Sequence, residues 1–322
     1  MRAVEFQAYG GPEVLQIVPT AEPEPAPGQV TIDAAYAGVN FADIKARAEG
    51  YRVMSLPYRP GLEVSGHIRA LREGIEDLRL GQEVAALVGG GYAEVVLADA
   101  AAVFALPEGL DLRTAASTVL PTAHALIHEV GRLHAGESVL VHGAAGGIGT
   151  AVGQLARAAG AGAVYGVVST DAKAEYARSH GYDELFRSGT FAEDVRRATG
   201  GRGVDLVLDP VGGDTLRRGL DALAVFGRLV SFGNAGGAEP WRTGQSELNV
   251  QGRSVGGFSV LALAQSAPDA VRALTQRALR TLADGSVSLP VAAEFPLSDA
   301  AGAHRLMGGR TSTGKLLLRI AD

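Results

Sequence analysis

Between residues 123 and 260 short apolar runs alternate with helical stretches, and no other feature restricts the fold of this chain as strongly. Strands are expected at 138–143 (SVLVHG), 163–169 (AVYGVVS), 183–187, 204–210 (VDLVLDP), 227–233 and 253–260. Helices are expected between them at 147–160, 171–180, 190–199 and 212–224. Continuous apolar strands joined through helices specify an α/β fold, a doubly wound parallel sheet covered on both faces.

The flanking regions differ in texture. Residues 1–120 carry QVTIDAAYAGV, EVSGHIRAL, QEVAALV and YAEVVLA between turn signals, the pattern of a compact β-rich unit. Beyond 261 come an amphipathic helix in PDAVRALTQRALRTLADG, the segment SLPVAAEFPL, a short helix and the apolar run KLLLRI. That tail has no sheet of its own to finish and is expected to rejoin the first region. The 322 residues thus divide as 1–122, 123–261 and 262–322, two domains with the second inserted into the first.

Composition excludes several chemistries. The chain has no cysteine, which removes disulfides, thiolate zinc sites, iron–sulfur clusters and thiol nucleophiles together. A net charge of −6 argues against nucleic acid as the main partner. The opening MRAVEFQAYGG lacks the apolar core of a signal peptide, and no run approaches the ~20 apolar residues of a membrane span. A cytoplasmic location with no membrane partner is the expectation.

The first strand of the alternating region runs into Ala144-Ala145-Gly146-Gly147-Ile148-Gly149. Set against G-x-G-x-x-G, alanine takes the first glycine position. Gly146 allows backbone approach to a pyrophosphate and Gly149 allows close packing of helix on strand, while the helix N-terminus offers free N–H groups. Such a turn alone is weak evidence, but the strand before it, the helix after it and a second strand about 20 residues on supply the required context. The tip of that second strand reads Val167-Val168-Ser169-Thr170-Asp171-Ala172-Lys173. A site for NAD places an acid on the ribose 2′-OH there, whereas one for NADP uses small or polar groups and a cation. Val168 or Ser169 holds the acid's place and Lys173 follows, which favours NADPH as cofactor. Asp171 is either a simple helix cap or, shifted by one turn, a ribose ligand, and Lys173 is either the cation or a solvated helix residue. A second match, Gly309 to Gly314-Lys315, fits G-x-x-x-x-G-K, but Leu316 replaces the Ser or Thr of a P-loop and no helix follows; it is rejected.

Taken in order, Gly38-Val39-Asn40-Phe41-Ala42-Asp43, Pro60-Gly61-Leu62-Glu63-Val64-Ser65-Gly66 and the glycine turn resemble the zinc-free medium-chain dehydrogenase/reductases, in their quinone oxidoreductase (zeta-crystallin-like) branch. Similarity runs from Tyr9-Gly10-Gly11-Pro12-Glu13 through Ser231-Phe232-Gly233-Asn234 to Gly314-Lys315-Leu316-Leu317. The resemblance implies a GroES-like catalytic domain, an inserted Rossmann NADP-binding domain, a C-terminal return and a homodimer. Zinc-dependent relatives carry a cysteine ligand near Asn40 and a histidine near Leu62, so no metal is expected. The resemblance further places Asn40 at the nicotinamide end, Thr122 against the nicotinamide, and Phe232, Gly233 and Asn234 at the tip of the fifth strand. With Ala145, Gly146, Gly147, Ile148, Gly149, Ser169, Lys173, Ser188 and Phe258 these form the expected cofactor set. Ser188 stands where many NADPH-binding relatives have a tyrosine, Lys45 replaces another tyrosine, and His124 replaces an aromatic beside Thr122.

The chemistry expected is hydride transfer from NADPH to a quinone or an α,β-unsaturated carbonyl, with positioning in place of metal or thiol. Asn40 and Tyr51 are the candidate catalytic residues, as donors to a developing oxyanion, with Tyr51 also a candidate proton donor or else a structural tyrosine. Two alternatives remain open. One is an enoyl-thioester reductase with Arg47, Arg52 and Arg59 as a basic mouth for pantetheine phosphates. The other is a non-catalytic NADPH- or RNA-binding protein, against which stand the acidic charge and the lack of interleaved basic and aromatic residues.

Overall fold

A computed structural model describes residues 1–116, 119–239 and 241–321. The chain forms two compact units. The first comprises Met1–Thr118, Pro268–Gly285 and Leu289–Asp322, and the second comprises Val119–Ala267 with Ser286–Ser288. No helix among the described residues is long and apolar enough to cross a membrane.

The first unit begins with β1 (Arg2–Glu5), β2 (Gln16–Pro19), β3 (Gln29–Val39), α1 (Phe41–Glu49), β4 (Glu63–Leu71), β5 (Glu83–Leu87), β6 (Val95–Asp99), β7 (Val103–Ala105) and the short α2 (Leu112–Ala115). The second follows with α3 (Val119–His124), β8 (Ser138–His142), α4 (Gly147–Ala158), β9 (Ala163–Val168), α5 (Asp171–Arg178), β10 (Glu184–Arg187), α6 (Phe191–Ala198) and β11 (Val204–Asp209). It closes with α7 (Gly213–Asp221), β12 (Leu223–Ser231), α8 (Gln245–Asn249), β13 (Ser254–Gly257) and α9 (Val260–Ser266). The chain then re-enters the first unit with α10 (Pro268–Ala283), β14 (Val291–Pro296), α11 (Ala300–Gly308) and β15 (Lys315–Arg319).

In the first unit β15 pairs antiparallel with β3, and the main sheet runs β14-β15-β3-β4-β5-β7 with β6 also paired to β3. The apolar run 315–320 thus completes a sheet begun nearly 300 residues earlier. Alternation along β3 and β4 sends Val30, Ile32, Val64 and Ile68 inward, where they meet Leu316, Leu318 and Ile320. Burying one such aliphatic side chain is worth about 1.5–3 kcal/mol.

The second unit holds the parallel sheet, in the order β10-β9-β8-β11-β12-β13. Chain direction through the sheet reverses between β8 and β11, the switch point at which open α/β sheets receive ligands at their C-terminal edge. Strands β8, β9 and β11 are almost wholly buried, which explains their unbroken apolar runs. The fifth strand starts four residues earlier than its apolar pattern implies. Leu223 pairs with Val204 before a register shift, and Phe226 bridges the irregularity at φ 62°.

The last residue of β8, His142, is buried with its ring edge-on to Phe191, centroids 4.5 Å apart. Burial, helped by the nearby Arg218 charge, drives its pKa down to about 3. An unfolded histidine titrates near 6.5, so the folded state keeps its full advantage above that pH and loses it as pH falls toward 3. We expect stability in urea to fall by up to about 1.4 kcal/mol per pH unit below 6.5 from this group alone. His142→Phe should flatten the slope between pH 6.5 and 4.5; an unchanged slope would contradict the assignment.

Candidate functional site

In the second unit the expected residues collect along one edge of the sheet. The glycine turn joins β8 to α4 with Gly146 as the N-terminal cap. The Thr150 N–H is the first to bond back, to the Gly146 carbonyl at 2.8 Å, so the N–H groups of Gly147, Ile148 and Gly149 have no carbonyl a turn earlier within the helix. A Cβ on Gly149 would lie 2.4 Å from the Gly143 carbonyl oxygen, so only glycine lets α4 approach β8 this closely. Ala144 and Ala145 are buried beneath the turn, whereas Gly146 is exposed at its crest.

Next along the edge, β9 ends at Val168, and Ser169 and Thr170 emerge exposed. Thr170 caps α5 by accepting from the Lys173 N–H at 3.3 Å, and Lys173 is half-buried in the first helical turn. Asp171 is fully exposed and ion-paired with Arg187. Arg187 ends β10 in register with Val168, beside the tip of β9. It was not among the residues singled out from sequence, which pointed one position further, to Ser188. Ser188 is itself exposed, and its carbonyl accepts from Arg218 Nη1 at 2.9 Å while Arg218 Nη2 reaches the Gly189 carbonyl at 2.7 Å. The same guanidinium lies over the Phe191 ring, 4.7 Å from its centroid.

On the far side of the switch point Phe232 leaves β12 with its N–H on the Asp209 carbonyl at 2.9 Å, followed by the exposed Gly233. The Asn234 amide donates to the Ala238 carbonyl at 2.7 Å, and the Phe258 N–H donates to the Ser231 carbonyl at 2.9 Å. Thr122 is buried in α3, within this unit.

Asn40 and Tyr51 belong to the first unit. Tyr51 lies past the left-handed C-cap of α1 at Gly50, 41 % exposed, with Lys45 Nζ and Arg52 Cζ each 5.9 Å from its ring centroid. Asn40 caps α1, its backbone N–H donating to Asp43 Oδ2 at 2.9 Å. Its side chain is held from both ends. Nδ2 donates to Glu63 Oε1 at 2.7 Å and more weakly to the Gly38 carbonyl at 3.5 Å, and Oδ1 accepts from Lys315 Nζ at 2.9 Å. Lys315 also donates to Glu63 Oε1 and lies 3.4 Å from the Val39 carbonyl. The ion pair is enclosed, with side chains 2 % and 0 % exposed. The expected donor role of Asn40 toward an oxyanion therefore does not fit this geometry, because both amide hydrogens are directed into the protein.

Strand order produces this cluster. β15, β3 and β4 are neighbours, and Lys315 opens β15, Asn40 follows β3 and Glu63 opens β4. A Cβ at Gly38 would fall 1.9 Å from Glu63 Oε1, so glycine is required for the carboxylate to lie against β3. The Lys315 of the rejected P-loop match is thus a buried structural cation. Sequence carried one signal for the pair: an acid opens EVSGHIRAL and a base opens KLLLR. Beneath it Asp43 is fully buried; its Oδ1 accepts the Gly61 N–H at 3.0 Å, and burial raises its pKa to about 7 against the pull of these two N–H donors.

Residues 26–108 match the family described as Alcohol dehydrogenase GroES-like domain, and residues 147–276 match that described as Zinc-binding dehydrogenase. The chain is 33% identical over 332 residues to a quinone oxidoreductase of Pseudomonas aeruginosa, covering 98% of this chain and 99% of the relative. It is 31% identical to a mycocerosic acid synthase-like polyketide synthase of Mycobacterium tuberculosis, covering 98% of this chain but only 15% of that much longer protein. The fold superposes on the Escherichia coli quinone oxidoreductase complexed with NADPH with a TM-score of 0.92, at 29% identity and with 99% and 100% of the two chains covered. The chain belongs to the medium-chain dehydrogenase/reductases, in their zinc-free quinone oxidoreductase branch. The zinc in the second family's description is not one these residues fit. No group of three or more His, Asp or Glu able to hold a metal occurs among the described residues, and a dication beside Asn40 and Glu63 would face the Lys315 ammonium.

Replacing Asp43 by asparagine would set an NH2 against one of two converging backbone N–H groups. Asp43→Asn should cost about 1–3 kcal/mol, read as a lower urea midpoint, whereas a shift below half that would mean the two N–H bonds contribute little.

Proposed function

We propose that the chain is a zinc-independent, NADPH-dependent oxidoreductase that passes hydride to a quinone or an α,β-unsaturated carbonyl. One observation carries this reading: at the tip of β9, where a 2′-hydroxyl reader would place a carboxylate on the strand, the protein has Ser169 and Thr170 flanked by Lys173 and Arg187. The nearest acid, Asp171, is already engaged by Arg187. The rest of the edge fits a dinucleotide. The free N–H groups of Gly147 and Ile148 and the dipole of α4 suit a pyrophosphate, and the exposed Gly146 leaves the backbone open to it. The E. coli relative complexed with NADPH supports the same cofactor.

Bound NADPH supplies the hydride. The chain's own share is to hold and orient: Lys173 and Arg187 toward a 2′-phosphate, the α4 N-terminus toward the pyrophosphate, and Phe232 to Asn234 beyond the switch point. Catalysis then rests on placement and on dipoles fixed before the reaction begins.

Likeness to a solved enoyl reductase, CurK, at 26% identity and a TM-score of 0.88, favours a second reading, in which the acceptor is an enoyl thioester. The basic mouth expected for it is reduced to one residue. Arg47 is buried, Arg59 donates to Glu5 at 2.7 Å, and only Arg52 stays exposed.

Anaerobic titration with NADPH and NADH, followed by turnover of 1,4-benzoquinone, 9,10-phenanthrenequinone, an alkenal and crotonyl-CoA, tests both readings. NADPH should bind more tightly, and Arg187→Ala should raise its Kd roughly tenfold while moving that of NADH less than about twofold. A wild-type preference for NADH would overturn the cofactor assignment. Turnover of crotonyl-CoA alone would select the second reading.

A further inference from the structure

Within the first unit α1, the loop before β6 and α11 enclose a chain of three polar side chains. Asp43, Tyr92 and His304 are 2 %, 0 % and 0 % exposed. The Tyr92 hydroxyl lies 3.1 Å from His304 Nε2, the two rings edge-on with centroids 5.8 Å apart. Burial, the Asp43 and Glu63 charges and a side-chain hydrogen bond with Asp43 hold the Tyr92 phenol well above its ordinary range. One hydroxyl thus stands between a carboxyl and an imidazole, with a single hydrogen to give.

Donor counting ties the state of one end to the state of the other. When Asp43 is ionised it only accepts, so Tyr92 donates to it and the Tyr92 oxygen accepts from His304, whose ring proton then sits on Nε2. When Asp43 is protonated, the acid donates to the Tyr92 oxygen, Tyr92 donates to Nε2, and the ring proton has to sit on Nδ1. Any other arrangement leaves a buried hydroxyl hydrogen without an acceptor or sets two donors against each other. Nδ1 has no hydrogen-bond partner among the described residues, so no neighbour fixes the ring in either tautomer. The ring stays neutral throughout, because burial and the Arg47 charge lower its pKa to about 3.

We propose that Tyr92 and His304 form a relay through which the enclosed Asp43 carboxyl gains and loses its proton, with His304 changing tautomer and not charge. A proton from water binds the Nδ1 lone pair, the Nε2–H proton passes to the Tyr92 oxygen, and the Tyr92 O–H proton passes to an Asp43 oxygen. Each proton leaves its bonding pair behind as a lone pair, so no residue is oxidised or reduced. The net change is one proton taken from water and one negative charge removed from Asp43; release runs the same steps backwards. Burial raises the Asp43 pKa to about 7, so uptake falls near neutrality. As carboxylate gives way to acid, its hold on the Asn40 and Gly61 N–H groups weakens, and the start of α1 and the turn at Gly61 register the change.

The other charges near the chain are paired or permanent. Against Asp43 lie Lys315 of β15 and Glu63 of β4, paired with each other, and Tyr58, whose phenol burial holds above its ordinary range. Around α11, Glu294 of β14 pairs with Arg319 of β15, Asp299 with Arg305, and Lys45 of α1 with Glu49. Arg47 lies near both His304 and the exposed Glu13, and its guanidinium stays charged.

The test is a titration of the full chain from about pH 9 to about pH 5, with 13C in the Asp carboxyls and 15N in the His rings, assigned through Asp43→Asn and His304→Gln. The Asp43 carboxyl should titrate with a midpoint near 7. Over the same range the His304 ring should invert from at least about fivefold in favour of the Nε2–H tautomer to at least about fivefold in favour of Nδ1–H, with the same midpoint and no imidazolium. Tyr92→Phe should leave Asp43 titrating and hold the ring in one tautomer. An Asp43 that keeps one state throughout overturns the proposal, as does a ring that keeps one tautomer, gains a second proton, or still inverts in Tyr92→Phe. Should that variant not fold, the unmodified protein decides: coincident inversion supports the relay and its absence overturns it. These readouts need no cofactor, so failure of NADPH to bind leaves them intact.

Discussion

A buried ammonium without a counter-charge would destabilise a unit of this size by about 3–5 kcal/mol, a large part of what a domain has. Lys315 therefore ties the first unit together in a way that apolar burial does not. Its charge has to end beside Glu63, so the strand it opens has to lie next to β3, whose far neighbour is the strand that Glu63 opens. Hydrophobic matching alone would let KLLLRI pack on several apolar edges. The ion pair fixes both the edge and the register. Gly38 permits it, Asp43 and Asn40 complete it through the cap of α1, and the helix that leads to Tyr51 is oriented as a result.

The second unit reaches its geometry by another route. Nothing charged is buried in its central strands until their ends, and the parallel sheet holds through the packing of Leu140, Val207, Phe191, Leu216 and Leu229. Because the strands run parallel, every strand end on one side becomes a loop opening in the same direction. Residues from five separate strand ends thus gather along one edge, and few side-chain interactions tie them together, among them the Asp171–Arg187 ion pair. Arg218 supplies another. It reaches across from α7 to the Ser188 and Gly189 carbonyls, in the loop that follows Arg187.

What could be read from the sequence follows this division. The second unit is written locally. Its strands and helices were legible from apolar runs and turn signals, and its glycine turn from a six-residue pattern whose meaning depends only on the elements either side. Strand boundaries slipped where pairing overrode pattern, as at Leu223, and the sequence pointed to Lys173 as the cation at the sheet edge without Arg187, because an arginine at the end of DELFR gives no sign of which neighbour it will meet. The first unit is written at long range. Lys315 and Glu63 are 252 residues apart, and the only match that drew attention to Lys315 belonged to an unrelated fold. Asn40 was found through resemblance, but the direction its amide faces depends on two partners that no local pattern names.

The pairing of Asp171 with Arg187 bears on kinetics as well as on selectivity. Paired with Asp171, the guanidinium is already neutralised, so a distant anion is drawn little to this end of the sheet. On the proposed reading a 2′-phosphate would have to displace a carboxylate at contact, and Asp171, being fully exposed, would return to water at little cost. On that reading discrimination between the two dinucleotides would arise after encounter, in how long each stays and not in how fast each arrives. An edge built this way would sample both cofactors at similar rates and retain one.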